Sequence, residues 1–188
     1  MFRKWMGMAL LVTLAAQAVA QQTPAPRFNG MFQIDLAAGG DDLRNAEIHA
    51  SQTNLGQGVT FSFGATYRPV ESSRLELQGI VGYKVGVPVP DDEEANVTRW
   101  VLQLLANYPL EDKWYVGGGL AFHVNPKYVD DFPGALDVDF DDALGVTIEG
   151  GWSWMGLQCT WMEYRSPYGK FGANNCGVRF TWRFHERP

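Results

Sequence analysis

Residues 177 to 184 read GVRFTWRF, in which Val178, Phe180, Trp182 and Phe184 alternate strictly with Arg179, Thr181 and Arg183. A period of two puts the two sets on opposite faces of a β-strand, one apolar and the other polar and cationic. Which face meets lipid, water or a core decides the fold. The same alternation recurs about eight times along the chain.

Upstream, Phe32, Ile34 and Leu36 oppose Gln33 and Asp35 within 30–38, and Val59, Phe61, Phe63, Ala65 and Tyr67 oppose Thr60, Ser62, Thr66 and Arg68 within 58–68. Leu75, Leu77, Val81 and Tyr83 oppose Glu76, Gln78 and Lys84. Trp100, Leu102, Leu104, Ala106 and Tyr108 oppose Arg99, Gln103 and Asn107, with Val101 and Leu105 blurring that polar face. The fifth strand, 114–124, sets Trp114, Val116, Leu120 and Phe122 against Tyr115, Gly117, Gly119 and His123. The sixth sets Leu144, Val146, Ile148 and Trp152 against Thr147 and Glu149, its phase running back through Leu136, Val138 and Phe140. The seventh, 156–164, sets Leu157, Cys159 and Trp161 against Gln158 and Thr160.

Connections between these segments alternate long and short: 39–57 is long, PVESS short, 86–97 long, PLEDK short, 125–135 or further long, SWM short and 165–174 long. A soluble sandwich has no reason for that rhythm, whereas an outer-membrane barrel has short turns on one side and longer loops on the other. Aromatics such as Tyr67, Tyr83, Trp100, Tyr108, Trp114, Trp152, Trp182 and Phe184 fall near the ends of apolar faces, where interfacial girdles form. The expected fold is all-β: an eight-stranded antiparallel up-and-down transmembrane β-barrel. Its apolar face looks outward, and its last strand pairs with its first because no edge can stay open in lipid.

Arg3 and Lys4, the apolar run Met6 to Ala16 and the small-x-small Ala18-Val19-Ala20 read as a secretory signal peptide over 1–20. A short lead-in over 21–29, the barrel over 30–184 and a C-terminal extension over 185–188 complete the expected organisation. The formal net charge is -6, and loss of Arg3 and Lys4 makes it two units more negative. Nucleic acid is therefore excluded as a partner, since backbone binding needs basic stripes. Cys159 and Cys176 lie on the apolar phase of strands joined by the fourth long loop, in an oxidising compartment. A disulfide and two free thiols are both open, because strand register decides between them.

With these features the chain resembles the small eight-stranded outer-membrane barrels, the class of the OmpA transmembrane domain, OmpX and the OmpW-like proteins. Gly177, Phe180, Trp182 and Phe184 look like the C-terminal signal by which such barrels are recognised, which implies the barrel-assembly machinery as a partner and the outer membrane of a Gram-negative bacterium as the location. The stretch GGGLAFHVNPK (117–127) with DFDDALG (139–145) is similar to a pattern in barrels of this class without assigned activity. The lipid A deacylase barrels carry a His-x-Ser pair, but here Val124 and Asn125 follow His123, so no nucleophilic hydroxyl is offered locally.

The polar phase gathers Asp35, Arg68, Glu76, Lys84, Arg99, Gln103, Tyr115, His123, Glu149, Arg179 and Arg183, which must pair or stay hydrated in so narrow a space. Arg179 and Arg183 are expected to pair with Asp35 on the first strand and Glu149 on the sixth. Asp91 to Glu94 and Asp130, Asp131, Asp137, Asp139, Asp141 and Asp142 read as a solvated anionic surface, since the run lacks the glycine and terminal glutamate of a calcium loop. Phe132, Leu136, Val138 and Phe140 are expected to be exposed on a projecting strand, offering an edge to an extracellular protein through 125–142. The reading is a monomeric, non-enzymatic barrel without cofactor or metal, in contact with outer-membrane lipid and lipopolysaccharide, with a structural or surface-interaction role. Its alternatives are small-molecule binding or narrow-pore passage, and third an envelope lipid-modifying enzyme.

Overall fold

Alternating segments become strands β1 (Arg27–Ala38), β2 (Gly58–Arg68), β3 (Glu76–Val85), β4 (Ala95–Pro109), β5 (Trp114–Asp130), β6 (Val138–Asp139), β7 (Ala143–Trp152), β8 (Met155–Trp161), β9 (Glu163–Ser166), β10 (Gly169–Gly172) and β11 (Asn175–Arg183). The computed structural model describes residues 27–41, 54–69, 74–86, 95–111, 113–130 and 137–184. The leader, most of the lead-in, the acidic run 91–94, Asp131, Phe132, Leu136 and the extension 185–188 lie outside the described residues. Strands β1 to β5, β7, β8 and β11 pair antiparallel in a ring. Ile34 faces Phe180 and Asp35 faces Arg179, so the last strand closes on the first and the fold is a closed eight-stranded barrel. The first strand starts at Arg27, so 27–29 belong to the barrel rather than to a lead-in.

Side chains obey two opposite polarity rules along the barrel axis. Between the short turns and mid-height the outside is apolar and bare, with Leu104 69% and Leu157 65% exposed, while the inside is mostly polar: Gln33, Ser62, Thr66, Gln78 and Thr147 are buried there, beside one small apolar cluster of Met31, Ile80 and Leu105. So much contiguous apolar surface is not left to water. On β4, Trp100 and Tyr108 stand eight residues apart; at ~3.3 Å per residue and ~40° of tilt this spans roughly 20 Å, close to the ~25 Å apolar band of a membrane barrel. At the long-loop end the rule reverses. Leu55, Val97, Tyr128, Val138, Phe140, Met162, Tyr164 and Phe171 pack together inside, and Lys127, Asp139, Glu163, Arg165 and Lys170 lie outside.

A bulge in β5 produces part of that reversal. Thr98 pairs with Lys127 and Trp100 with Val124, so Asn125 and Pro126 together oppose Arg99. Asn125 takes the left-handed conformation (φ 52) that asparagine tolerates, and its N–H donates to Asp142 Oδ1 at 2.8 Å. Pro126, which reads as a strand breaker, sits where no ladder donor is needed. One extra residue flips the faces beyond it, and Tyr128 turns inward.

Two further segments depart from the sequence expectation. The sixth strand does not run back unbroken: residues 140–142 separate β6 from β7, as Phe140 N–H donates to Pro126 O and Asp141 N–H to Arg165 O. Val138 and Phe140 are therefore buried in the cap, Phe140 with its ring 5.5 Å from that of Tyr164, and are not an exposed edge. The supposed loop 165–174 contains most of the β9–β10 hairpin, which turns at Pro167 and Tyr168 and drops Phe171 into the same cluster.

Cys159 and Cys176 are direct register partners of β8 and β11, with Cα atoms 4.1 Å apart and their sulfurs bonded. The cross-link fastens strands joined through the β9–β10 hairpin. Unfolded, unreduced protein should titrate no free thiol, and two after reduction. Cys176→Ala should lower stability by about 2–3 kcal/mol, read from the urea midpoint of the heat-modifiable gel shift.

Candidate functional site in the barrel interior

Arg179 is the centre of the interior. Its register places it opposite Asp35 on β1, and inward phase points its guanidinium across the lumen. Nε and Nη2 donate to Asp35, the latter at 3.3 Å; Nη1 donates to Glu149 Oε2 of β7 at 2.8 Å. Nη2 also reaches Gln103 Oε1 of β4 at 2.7 Å and Gln158 Oε1 of β8 at 2.9 Å. Asn107 Nδ2 donates to the other Glu149 oxygen. One buried cation thus ties five strands through two carboxylates and two amides, the arrangement that lets charges stay in a low-dielectric space. Arg179 itself is only 2% exposed.

Arg183 takes a different partner from the one the sequence suggests. Four residues nearer the short turns, it lies at the depth of Glu76, which accepts from Arg183 Nη2 at 3.1 Å, Arg68 Nη2 at 3.3 Å and Gln78 Nε2 at 3.1 Å. Arg179 occupies both Asp35 and Glu149, so neither is left for Arg183. Tyr115 leans across this level over Gly151 and Gly156, where a Cβ on either glycine would collide with its hydroxyl. An open vestibule of about 620 Å³ follows at the short-turn mouth, bounded by Arg68, Glu76, Asn107, Tyr115 and Arg183.

Above Arg179, Lys84 and Arg99 are register partners on β3 and β4, and His123 opposes Val101 on β5. All three are buried. Lys84 Nζ donates to Gly56 O at 2.6 Å, and His123 Nδ1 shares a hydrogen bond with the Tyr164 hydroxyl at 2.5 Å. Arg99 lies over the Tyr164 ring at 5.8 Å, yet Nε, Nη1 and Nη2 have no hydrogen-bond partner among the described residues. Burial pushes the Tyr164 phenol up to about 12, so it stays neutral at working pH. A cavity of about 20 Å³, room for about one water, lies between this level and Arg179.

The sequence grouped all eleven interior residues, and the structure distributes them over these three levels. It passed over Asn107 and Gln158 as site residues although both sit on the polar phase. Tyr164 carried a weaker signal: it continues the inward phase of β8 past Trp161. A hydroxyl does stand within reach of His123, but it is this phenol, buried together with the imidazole. Gly177 pairs with Ala37, Phe180 with Ile34 and Trp182 with Phe32, while Phe184 N–H donates to Gly30 O at 2.8 Å. Asp137, Asp139, Asp141 and Asp142 are exposed, Asp139 pairs with Lys127 at 3.2 Å, and no cluster among the described residues has the make-up of a metal site.

No family model and no curated protein matches the chain. Among solved structures it is similar to the crystal structure of neisserial surface protein A (NspA), at 12% identity and a TM-score of 0.46 over 84% of this chain and 99% of that one. It is similar to the Yersinia pestis outer membrane protein Ail in a phospholipid bilayer nanodisc, at 8% identity and a TM-score of 0.40 over 83% of this chain and 100% of that one. It is also similar to the N-terminal beta-barrel domain of Pseudomonas aeruginosa OprF, at 13% identity and a TM-score of 0.35 over 83% of this chain and 100% of that one.

Removing Arg179 strands two carboxylates, so Arg179→Met should cost about 3–5 kcal/mol in the urea midpoint. Adding Asp35→Asn and Glu149→Gln to it should recover most of that loss, because the neutral trio no longer buries an unpaired charge. Simple additivity of the three changes would mean that they do not interact.

Proposed function

We propose that the protein is a non-enzymatic, non-conducting barrel of the outer membrane of a Gram-negative bacterium, serving as a structural element that carries a folded cap on the cell surface. The observation that supports this most is the reversal of polarity along one set of strands. A surface that is apolar outside and polar inside suits lipid, and one that is polar outside and apolar inside suits water. The change falls near the level of Trp100 and His123, which supports an aqueous setting for the cap made by the ends of β4 and β5, by β6 and by the β9–β10 hairpin.

Two seals support the non-conducting reading: the five-strand knot of Arg179 and the apolar plug of the cap. They also keep His123 away from any lipid substrate. A surface role then rests with what the cap presents to water, including the exposed Glu163, Arg165 and Lys170 of the hairpin, whose charges pair at 3.3–3.4 Å. In planar bilayers the folded protein should give no discrete current steps in molar salt. Reproducible single-channel openings from purified monomer would replace this reading with that of a narrow pore.

A further inference from the structure

We propose that the open vestibule at the short-turn mouth binds one phosphate group, held between the guanidinium forks of Arg68 and Arg183. The motive is a surplus of donors facing a roomy concavity. Arg68 on β2 and Arg183 on β11, the two strands that flank β1, converge on Glu76, and each gives it a single nitrogen, Nη2. Among the described residues neither guanidinium has a second acceptor, Arg68 Nε has none at all, and Glu76 is shared further with Gln78. The Thr181 hydroxyl accepts from Gln33 Nε2 at 3.1 Å, which leaves its own O–H to donate, and the Tyr115 hydroxyl lines the same space. Arg68, Arg183 and Lys113 against Glu76 leave the described lining two positive charges in excess.

Two forks that already meet on one carboxylate stand close enough for one further anionic group to touch both. Phosphate fits this setting better than a second carboxylate. It is rich in acceptors, its charge matches the excess, and its tetrahedral oxygens meet forks arriving from different strands, which a planar carboxylate does only when both lie in its plane. The arginine side chains are 36% and 37% exposed, so a solute reaches them, and the vestibule of about 620 Å³ leaves room for the molecule that carries the phosphate. Half-exposed Trp154 and Trp182 carry its wall on to the rim of the barrel. The phosphate therefore has two sources to draw on, a small solute and a lipid headgroup.

Inorganic phosphate should be titrated into the folded protein, labelled with ¹⁵N at arginine and held in phosphate-free maltoside micelles. The Nε signals of Arg68 and Arg183 should shift together and saturate while that of Arg179 stays in place, and chloride at equal ionic strength should give no saturable shift. Arg68→Gln and Arg183→Gln should each weaken binding by about tenfold or more; if either fails to fold, the wild-type titration decides alone. Native mass spectrometry with phosphatidylglycerol separates the two sources. A retained lipid that inorganic phosphate displaces marks a headgroup site, and no retained lipid marks a site for a small phosphorylated solute. Absence of a saturable shift, an equal response to chloride, or unchanged affinity in both variants would each overturn the proposal. So would tighter binding after removal of 185–188, which would make the chain's own end the occupant.

Discussion

A guanidinium in the lumen of an eight-stranded barrel has no water to retreat to, and the rest of this interior is arranged around that constraint. Arg179 reaches acceptors on four other strands, and each of those groups is oriented by Arg179 in return. The β-ladders alone would hold neighbouring strands together; this knot connects strands on opposite sides of the wall. It fixes the shape of the cross-section, and it does so with charge-assisted bonds that cannot be exchanged for hydration without opening the barrel.

The same reasoning explains why the chain changes character at one level. Below it the outside is apolar, as a surface facing lipid has to be, and the polar residues left inside must satisfy one another. Above it the outside is polar and the inside apolar, the ordinary arrangement of a surface in water. The bulge at Asn125 and Pro126 lets β5 serve both regimes, because it exchanges the inward and outward faces where the outer surface changes polarity. Tyr164 joins the two, with its hydroxyl on His123 of the polar lumen and its ring against Phe140 of the cap.

The barrel was legible in the sequence because lipid enforces period two over whole strands, and the long–short rhythm of connections supplied the order. Strand β2 spans the residues that the alternation marked, and Asp35 and Arg179 could be matched from topology once the first and last strands were required to meet. The cap was not legible for the opposite reason. Its apolar residues, Val138, Phe140, Met162 and Tyr164, obey the same period but face the other way, and no pattern within one strand says which solvent lies outside it. The partner of Arg183 was missed because depth in a tilted barrel depends on shear, which the phase of a single strand does not carry.

Protein labelled with ¹⁵N at arginine and studied by NMR in lipid nanodiscs tests the central claim most directly. A guanidinium held on five strands predicts separate signals for the Nη1 and Nη2 hydrogens of Arg179, slow rotation about its C–N bonds, and protection from solvent exchange that persists until the barrel unfolds. A single averaged signal for Arg179, exchanging rapidly with water in the intact barrel, would contradict the account.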